Sequence, residues 1–204
     1  MLTQRGLKSF YVSSFPELTR YILSNRNHIY PFLQYMRQKK CLPLIHKDLE
    51  LLTTIEQNPV YHAEGDAFEH TALVCYHMDK MSSEVSDDVY VERMIASLFH
   101  DIGKVYTHTV NKTGIHHYGH EAVSTDIAKK FCEQLAIPSK RILFMISNHM
   151  RIQQILVIKK SKVKTLKESV YYEDLKCLAL SDYYGAQCEK SNRTYVEALE
   201  KNYG

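Results

Sequence analysis

Residues 88–100 read DVYVERMIASLFH, with apolar side chains Val91, Met94, Ile95, Leu98 and Phe99 at i, i+3, i+4, i+7 and i+8. That spacing follows the 3.6-residue period of an α-helix and gathers one apolar stripe; a strand would need alternation with period 2. It predicts a helix from Asp88 to His100, ended by Gly103. Upstream, Phe68 to about Met81 can form a helix with His70 in its first turn. Leu49, Leu52 and Ile55 mark another between Asp48 and Gln57, closed by Asn58 and Pro59. Downstream, Val123, Ile127, Phe131 and Leu135 share a face between Gly119 and Leu135. Pro138 suits a first helical turn, after which Ile142, Met145, Ile146 and His149 lie together. A last pair of helices is expected over Tyr172 to Gln187 and Asn192 to Lys201. Residues 1–45 read as two short helices broken near Pro31. The stretches THTVNKTGIHH (107–117) and KKSKVKTLK (159–167) read as a polar loop and a solvated basic loop or linker.

The fold class that follows is all-α, one helical bundle with little or no sheet. Composition agrees. With 45% hydrophobic and 24% charged residues in 204, the chain can bury a sizeable core, and only 7 Gly and 5 Pro punctuate it. Five cysteines, Cys41, Cys75, Cys132, Cys177 and Cys188, form an odd set without a CxxC pair. This argues against a disulfide framework and a thiolate zinc site, and suits a reducing cytoplasm. No apolar run approaches the roughly 20 residues that span a bilayer, and the opening MLTQRGLKSFYVSS lacks an apolar signal region, so no membrane partner is expected. A net charge of +3 permits an anionic substrate without demonstrating one.

The chemistry is carried by polar groups that helical spacing assigns to buried faces. Asp182 falls at i+7 from Leu175, i+4 from Leu178 and i+3 from Ala179, where an unpaired carboxylate would cost several kcal/mol. His100 and Asp101 end the most apolar helix, and His149 lies beside Ile142, Met145 and Ile146. A shared metal site answers all of these at once. Imidazole and carboxylate donors without thiolates suit Mn, Fe, Ni, Co or Zn in a catalytic site. Phosphoryl hydrolysis needs an activated water and charge stabilisation on phosphate oxygens, which one or two such ions supply. Lys104, one turn beyond Asp101, offers a further cation for a phosphate or leaving group, its plain alternative being a helix C-terminal charge.

His70, the pair His100 and Asp101 in SLFHDIGK, His120 in HHYGHE, His149 in SNHM and Asp182 in LALSDYYG occur in the order H, HD, H, H, D. In that order the sequence resembles the HD-domain metal-dependent phosphohydrolases over about residues 47–190. PVYHAEGDAFEHT, SLFHDIGK and YGHEAVSTDIA look like the HD domain attached to bacterial CCA-adding tRNA nucleotidyltransferases and like HD modules found with RNA-repair enzymes. The resemblance divides the chain into an N-terminal helical extension (1–45) and an HD phosphohydrolase domain (46–204). It implies that His70, His100, Asp101 and Asp182 hold a first metal. His120 and His149, with Asp101 bridging, would hold a second. A metal-activated water would then be the nucleophile, with Asp101 and Lys104 as catalytic groups. No strand-borne paired-carboxylate motif or Gly-rich nucleotide loop precedes the HD region, so nucleotide addition is not implied.

The resemblance points to phosphatase or phosphodiesterase work on nucleotides or RNA ends such as 2',3'-cyclic phosphates, with RNA-repair enzymes as partners. Hydrolysis of a dinucleoside polyphosphate is a second enzymatic reading. A non-catalytic nucleotide-binding module is a third, disfavoured because no ligand is lost. His62, Glu64 and Asp66 are candidates for the substrate mouth, with Asp66 equally readable as an N-cap. His116 and His117 read as a solvated loop, with substrate contact as the alternative. Tyr183 and Tyr184 are candidates to stack on a base, or core aromatics.

Overall fold

A computed structural model describes residues 12–187 and 193–200. Its elements are α1 (Phe15–Ser24), α2 (Ile29–Gln38), α3 (Lys47–Leu51), α4 (Ala67–Met81), α5 (Asp87–Phe99), α6 (Lys104–Thr107), β1 (Thr109–Asn111), β2 (Gly114–His116), α7 (His120–Gln134), α8 (Lys140–Gln153), α9 (Lys160–Lys167), α10 (Tyr172–Gly185) and α11 (Arg193–Glu200). The protein is all-α, and among the described residues the sheet is limited to an antiparallel hairpin in which Val110 pairs with Ile115. Among the described residues no helix is long and apolar enough to cross a membrane. Residues 1–11, Cys188 and the expected helix ends at Asn192 and Lys201 lie outside the described residues.

The helix of residues 88–100 is more deeply set than its single stripe implies. Tyr90, Val91 and every residue from Arg93 to Phe99 are buried, because α4, α8 and the N-terminal α1 pack around it. α10 is buried almost all round as well, and packs most extensively on α4. A Cβ at Gly185 would lie 2.9 Å from Val74 Cγ2, so the approach of these two helices needs that glycine. The main core joins Leu18, Leu33 and Met36 of α1 and α2 to Phe68, Met94 and Phe99; a second cluster gathers Ile152, Leu166, Leu175 and Leu199. Truncating one such side chain, as in Phe99→Ala, costs about 3–5 kcal/mol.

Several local readings change. α1 and α2 part at Asn25–His28, where Asn27 has φ 65°, and Pro31 sits inside the first turn of α2. A proline is tolerated there because its missing N–H would have no partner in the helix. The helix expected over Asp48 to Gln57 stops at Leu51 and tightens into a 3-10 turn, Leu52–Thr54. Thr53 and Thr54 hydroxyls donate back to Glu50 O and Leu51 O at 2.7 and 2.8 Å. The basic stretch 159–167 is helix α9 rather than a loop. Its lysines have good helix propensity, and Val163 and Leu166 at i, i+3 give it an apolar edge, Leu166 being buried. The polar loop 107–117 contains the hairpin, turned by Asn111 Oδ1 accepting from Thr113 N at 2.8 Å and by Gly114 at φ 116°.

Gly103 does not end α5, which stops at Phe99. Its φ is −66°, open to any residue, but a Cβ would lie 2.3 Å from His120 O and 2.7 Å from Ser124 N. Its N–H donates to Ser124 Oγ at 2.9 Å. The glycine thus lets the His100–Asp101 turn touch the start of α7.

Candidate metal centre

Six side chains from five helix segments meet beneath a cavity of about 640 Å³. His70 comes from the first turn of α4, His100 and Asp101 from the end of α5, His120 from the first residue of α7, His149 from α8 and Asp182 from α10. His70, His100 and Asp182 each offer a donor within 4.8 Å of the others, and Asp101, His120 and His149 do the same. Asp101 joins the groups: its Oδ2 lies 3.3 Å from His100 Nε2 and 3.7 Å from His70 Nε2, its Oδ1 3.0 Å from His120 Nε2 and 3.7 Å from His149 Nε2.

Each imidazole is oriented through its Nδ1. His100, His120 and His149 donate from Nδ1 to the carbonyls of Ser97, His117 and Ile146 at 2.8, 2.7 and 2.7 Å. His70 Nδ1 lies 2.8 Å from Glu64 Oε1. With Nδ1 committed, Nε2 is the atom each ring turns inward, and all four converge on the two carboxylates.

Electrostatics differ across the centre. Burial opposes protonation of His70, but contacts to Asp182 and Glu64 outweigh it and push the imidazole up to about 9. Burial pulls His149 down to about 3, with His120 and His100 adding to the effect. Burial likewise works against charge on Asp101 and Asp182. His100 and Lys104 nonetheless hold Asp101 well below the usual carboxylate range, and His70 and His100 hold Asp182 low. Both acids are therefore ionised.

These donors fit a divalent metal. His120 Nε2 and His149 Nε2 face each other at 3.0 Å with both Nδ1 hydrogens engaged, so either a proton on His120, which Asp101 favours against burial, or a metal ion must meet these lone pairs. His100 Nε2 is buried with no hydrogen-bond partner, an arrangement that leaves a ligand atom free. The donor set of imidazole nitrogens and carboxylates, without thiolate, is that of catalytic transition-metal sites.

The remaining candidates separate. Lys104 is buried, its Nζ 2.7 Å from Asp101 Oδ2 and 2.6 Å from Gln57 Oε1, and it reaches the cavity wall. His62 and Tyr183 also line the cavity. Glu64 does not: its side chain is fully buried, with Oε1 2.8 Å from both His62 Nδ1 and His70 Nδ1. Asp66 is also away from the cavity wall. It caps α4 by accepting from Glu69 N at 2.9 Å and pairs with Arg37. Tyr184 is turned to α11, its hydroxyl donating to Glu200. Sequence reading missed Glu64 as the partner of His70, Gln57 as the partner of Lys104, and Gln153, which donates to Asp182 Oδ2 at 2.6 Å. Gln153 stands four residues after His149, so helical spacing alone marks it. Gln57 lies 47 residues from Lys104 and carries no such signal.

The HD domain family model matches residues 67–187, more than half of the chain, and the chain belongs to that family of metal-dependent phosphohydrolases. Similar proteins each carry the name Multifunctional CCA protein. The one from Halorhodospira halophila is 29% identical over 106 residues, 52% of this chain and 24% of its own length. Those from Alkalilimnicola ehrlichii and Psychromonas ingrahamii are 30% identical over 122 residues and 27% over 135, covering 60% and 65% of this chain. The chain spans 27% and 31% of the length of those two.

Proposed function

We propose that the protein is a metal-dependent phosphatase or phosphodiesterase acting on nucleotides or RNA ends, 2',3'-cyclic phosphates among them. The carrying observation is one cavity lined by Asp101, His120, His149 and Asp182, with His70 and His100 buried behind them, so that two donor groups meet at Asp101. Bound there, one or two divalent transition ions supply Lewis acidity and a water activated for attack near neutral pH. The chain's own work is orientation and charge. Glu64 and the carbonyls of Ser97, His117 and Ile146 keep Nε2 of the four imidazoles directed at the floor. Gln153 fixes Asp182 through the oxygen that His70 does not use. Lys104, held by Gln57 and Asp101, places a buried ammonium at the cavity, where it meets an anionic phosphate and offsets charge as the leaving oxygen departs.

RNA ends as the substrate class and RNA-repair enzymes as partners rest on the resemblance to the HD domain of CCA-adding enzymes, with which the relatives' name, Multifunctional CCA protein, agrees. Cys41, Cys75 and Cys132 are free thiols, which suits a reducing cytoplasm. The test is a screen of protein reconstituted separately with Mn, Fe, Ni, Co and Zn against nucleoside monophosphates, 2',3'-cyclic nucleotides, RNA ends and dinucleoside polyphosphates, read by product. Ring-opened monoester or inorganic phosphate is the expected outcome. Two nucleotides from a dinucleoside polyphosphate alone, or no turnover with any metal, would overturn the reading.

A further inference from the structure

The cavity over Asp101 has a polar floor and an aromatic rim, and the floor alone accounts for a phosphate. The rim on the hairpin side ends in Tyr118, whose side chain is not packed: the residue is 75% exposed. One face of its ring lies parallel to that of His116, with planes 10° apart and centroids at 4.9 Å, and the other face is open. His116 is itself fixed by Thr113, whose Oγ1 is 2.7 Å from His116 Nε2, inside the turn that Asn111 closes. Gly119, at φ 77°, then bends the chain so that Tyr118 stands two residues before His120 of the floor. Tyr61, also largely exposed, lines the same cavity. A planar π-surface held open to solvent beside an anion site meets the flat face of a heterocycle attached to that anion. A phosphate alone gains nothing from it.

We propose that the Tyr118–His116 pair is a nucleobase platform, stacking the base of a substrate whose phosphate lies at Asp101 and Lys104. It selects base-bearing phosphate esters over bare sugar phosphates. The proposal rests on the reading of the floor as a phosphate-ester site, and binding and turnover separate the two.

The probe is 2-aminopurine riboside 5'-monophosphate, whose fluorescence falls when its base stacks, read on mixing with metal-reconstituted full chain before turnover. Ribose 5-phosphate, which lacks the base, is the competitor. Wild type is expected to quench the probe, and Tyr118→Ala to weaken its binding about tenfold, the scale of one lost base–aromatic stack. Tyr118→Phe restores it, and ribose 5-phosphate binds both proteins equally and more weakly than the probe binds wild type. The substituted side chain is exposed, and the helical circular dichroism of each variant verifies the fold. Absence of quenching by wild type, undiminished binding by Tyr118→Ala, or displacement by ribose 5-phosphate with the affinity of the nucleotide overturns the platform. Stacking of the probe without hydrolysis of any phosphate ester leaves the platform and removes the phosphohydrolase reading. Equal kcat/KM on the nucleotide and on ribose 5-phosphate does the reverse.

Discussion

The two halves of the centre are built from the same residue types but supported differently. The half containing His70, His100 and Asp182 is rich in carboxylate: His70 lies between Glu64 and Asp182, and that environment raises it to about 9. The half containing His120 and His149 shares only Asp101, its rings are held by backbone carbonyls, and His149 is pushed down to about 3. Carboxylates around an imidazole add attraction for any cation, proton or metal, and the second half has fewer of them to offset burial. The first half is therefore expected to hold its metal more tightly, and the second to fill at higher metal concentration.

Removing the shared group breaks the comparison most severely. Asp101→Ala should empty both halves and lower turnover roughly 10³-fold or more, the scale of losing a preorganised charge at a reacting centre. The helical circular dichroism should be retained. Elemental analysis and activity on the same preparation decide this, and full metal with wild-type turnover would sink the shared-site model. His149→Ala is the asymmetric partner of that experiment. It should lose metal only from the second half, and unchanged metal content and turnover would reduce the centre to one ion.

Glu64→Gln sharpens the contrast from the other side. The amide still fills the site but no longer accepts as a charged group from His70, so metal affinity in the first half should fall about 10–100-fold. The second half should be unaffected. A competition titration with a metal chelator reports both, and an equal loss in the two halves would show that they are not separable.

Gly103→Ala tests how the halves are joined, since the added methyl would press on His120 O. It should cost about 1–3 kcal/mol in urea denaturation and weaken the second metal before the first. Unaltered stability would mean that the turn gives way freely.

The smallest effect is expected at the N-terminal buttress. There Arg37 pairs with Asp66 and Glu69, and Tyr30 and Gln34 donate to Glu69 at 2.6 and 2.8 Å. These groups are part-exposed, so Arg37→Ala should cost about 1–2 kcal/mol and leave metal content intact. Loss of metal from the folded variant would show that α2 positions His70, and that residues 1–45 are not a mere extension.

Much of this was legible in one dimension. The 3.6-residue period of Val91, Met94, Ile95, Leu98 and Phe99 needs only local backbone geometry, and so do the buried-face assignments of His149 and Asp182. Those assignments exposed polar groups in places where burial demands a partner, and the order H, HD, H, H, D connected them. Element ends were less legible because they depend on neighbours. The basic stretch 159–167 became a helix once Leu166 found an apolar cluster, and Pro31 was absorbed into a first turn. The substrate mouth divided for the same reason. His62 and Tyr183 reached the cavity, whereas Glu64 turned inward to His70 and Asp66 was taken by the start of α4 and by Arg37.

By itself the sequence determined the helical class and the order of the candidate ligands, since periodicity and residue type are properties of the chain. Only the tertiary structure decided which partner each ligand takes. The contacts of His70 with Asp182 and of Lys104 with Gln57 join residues 112 and 47 positions apart. Such pairings are set by how helices pack, and side chains brought together by packing leave no periodic trace along the chain.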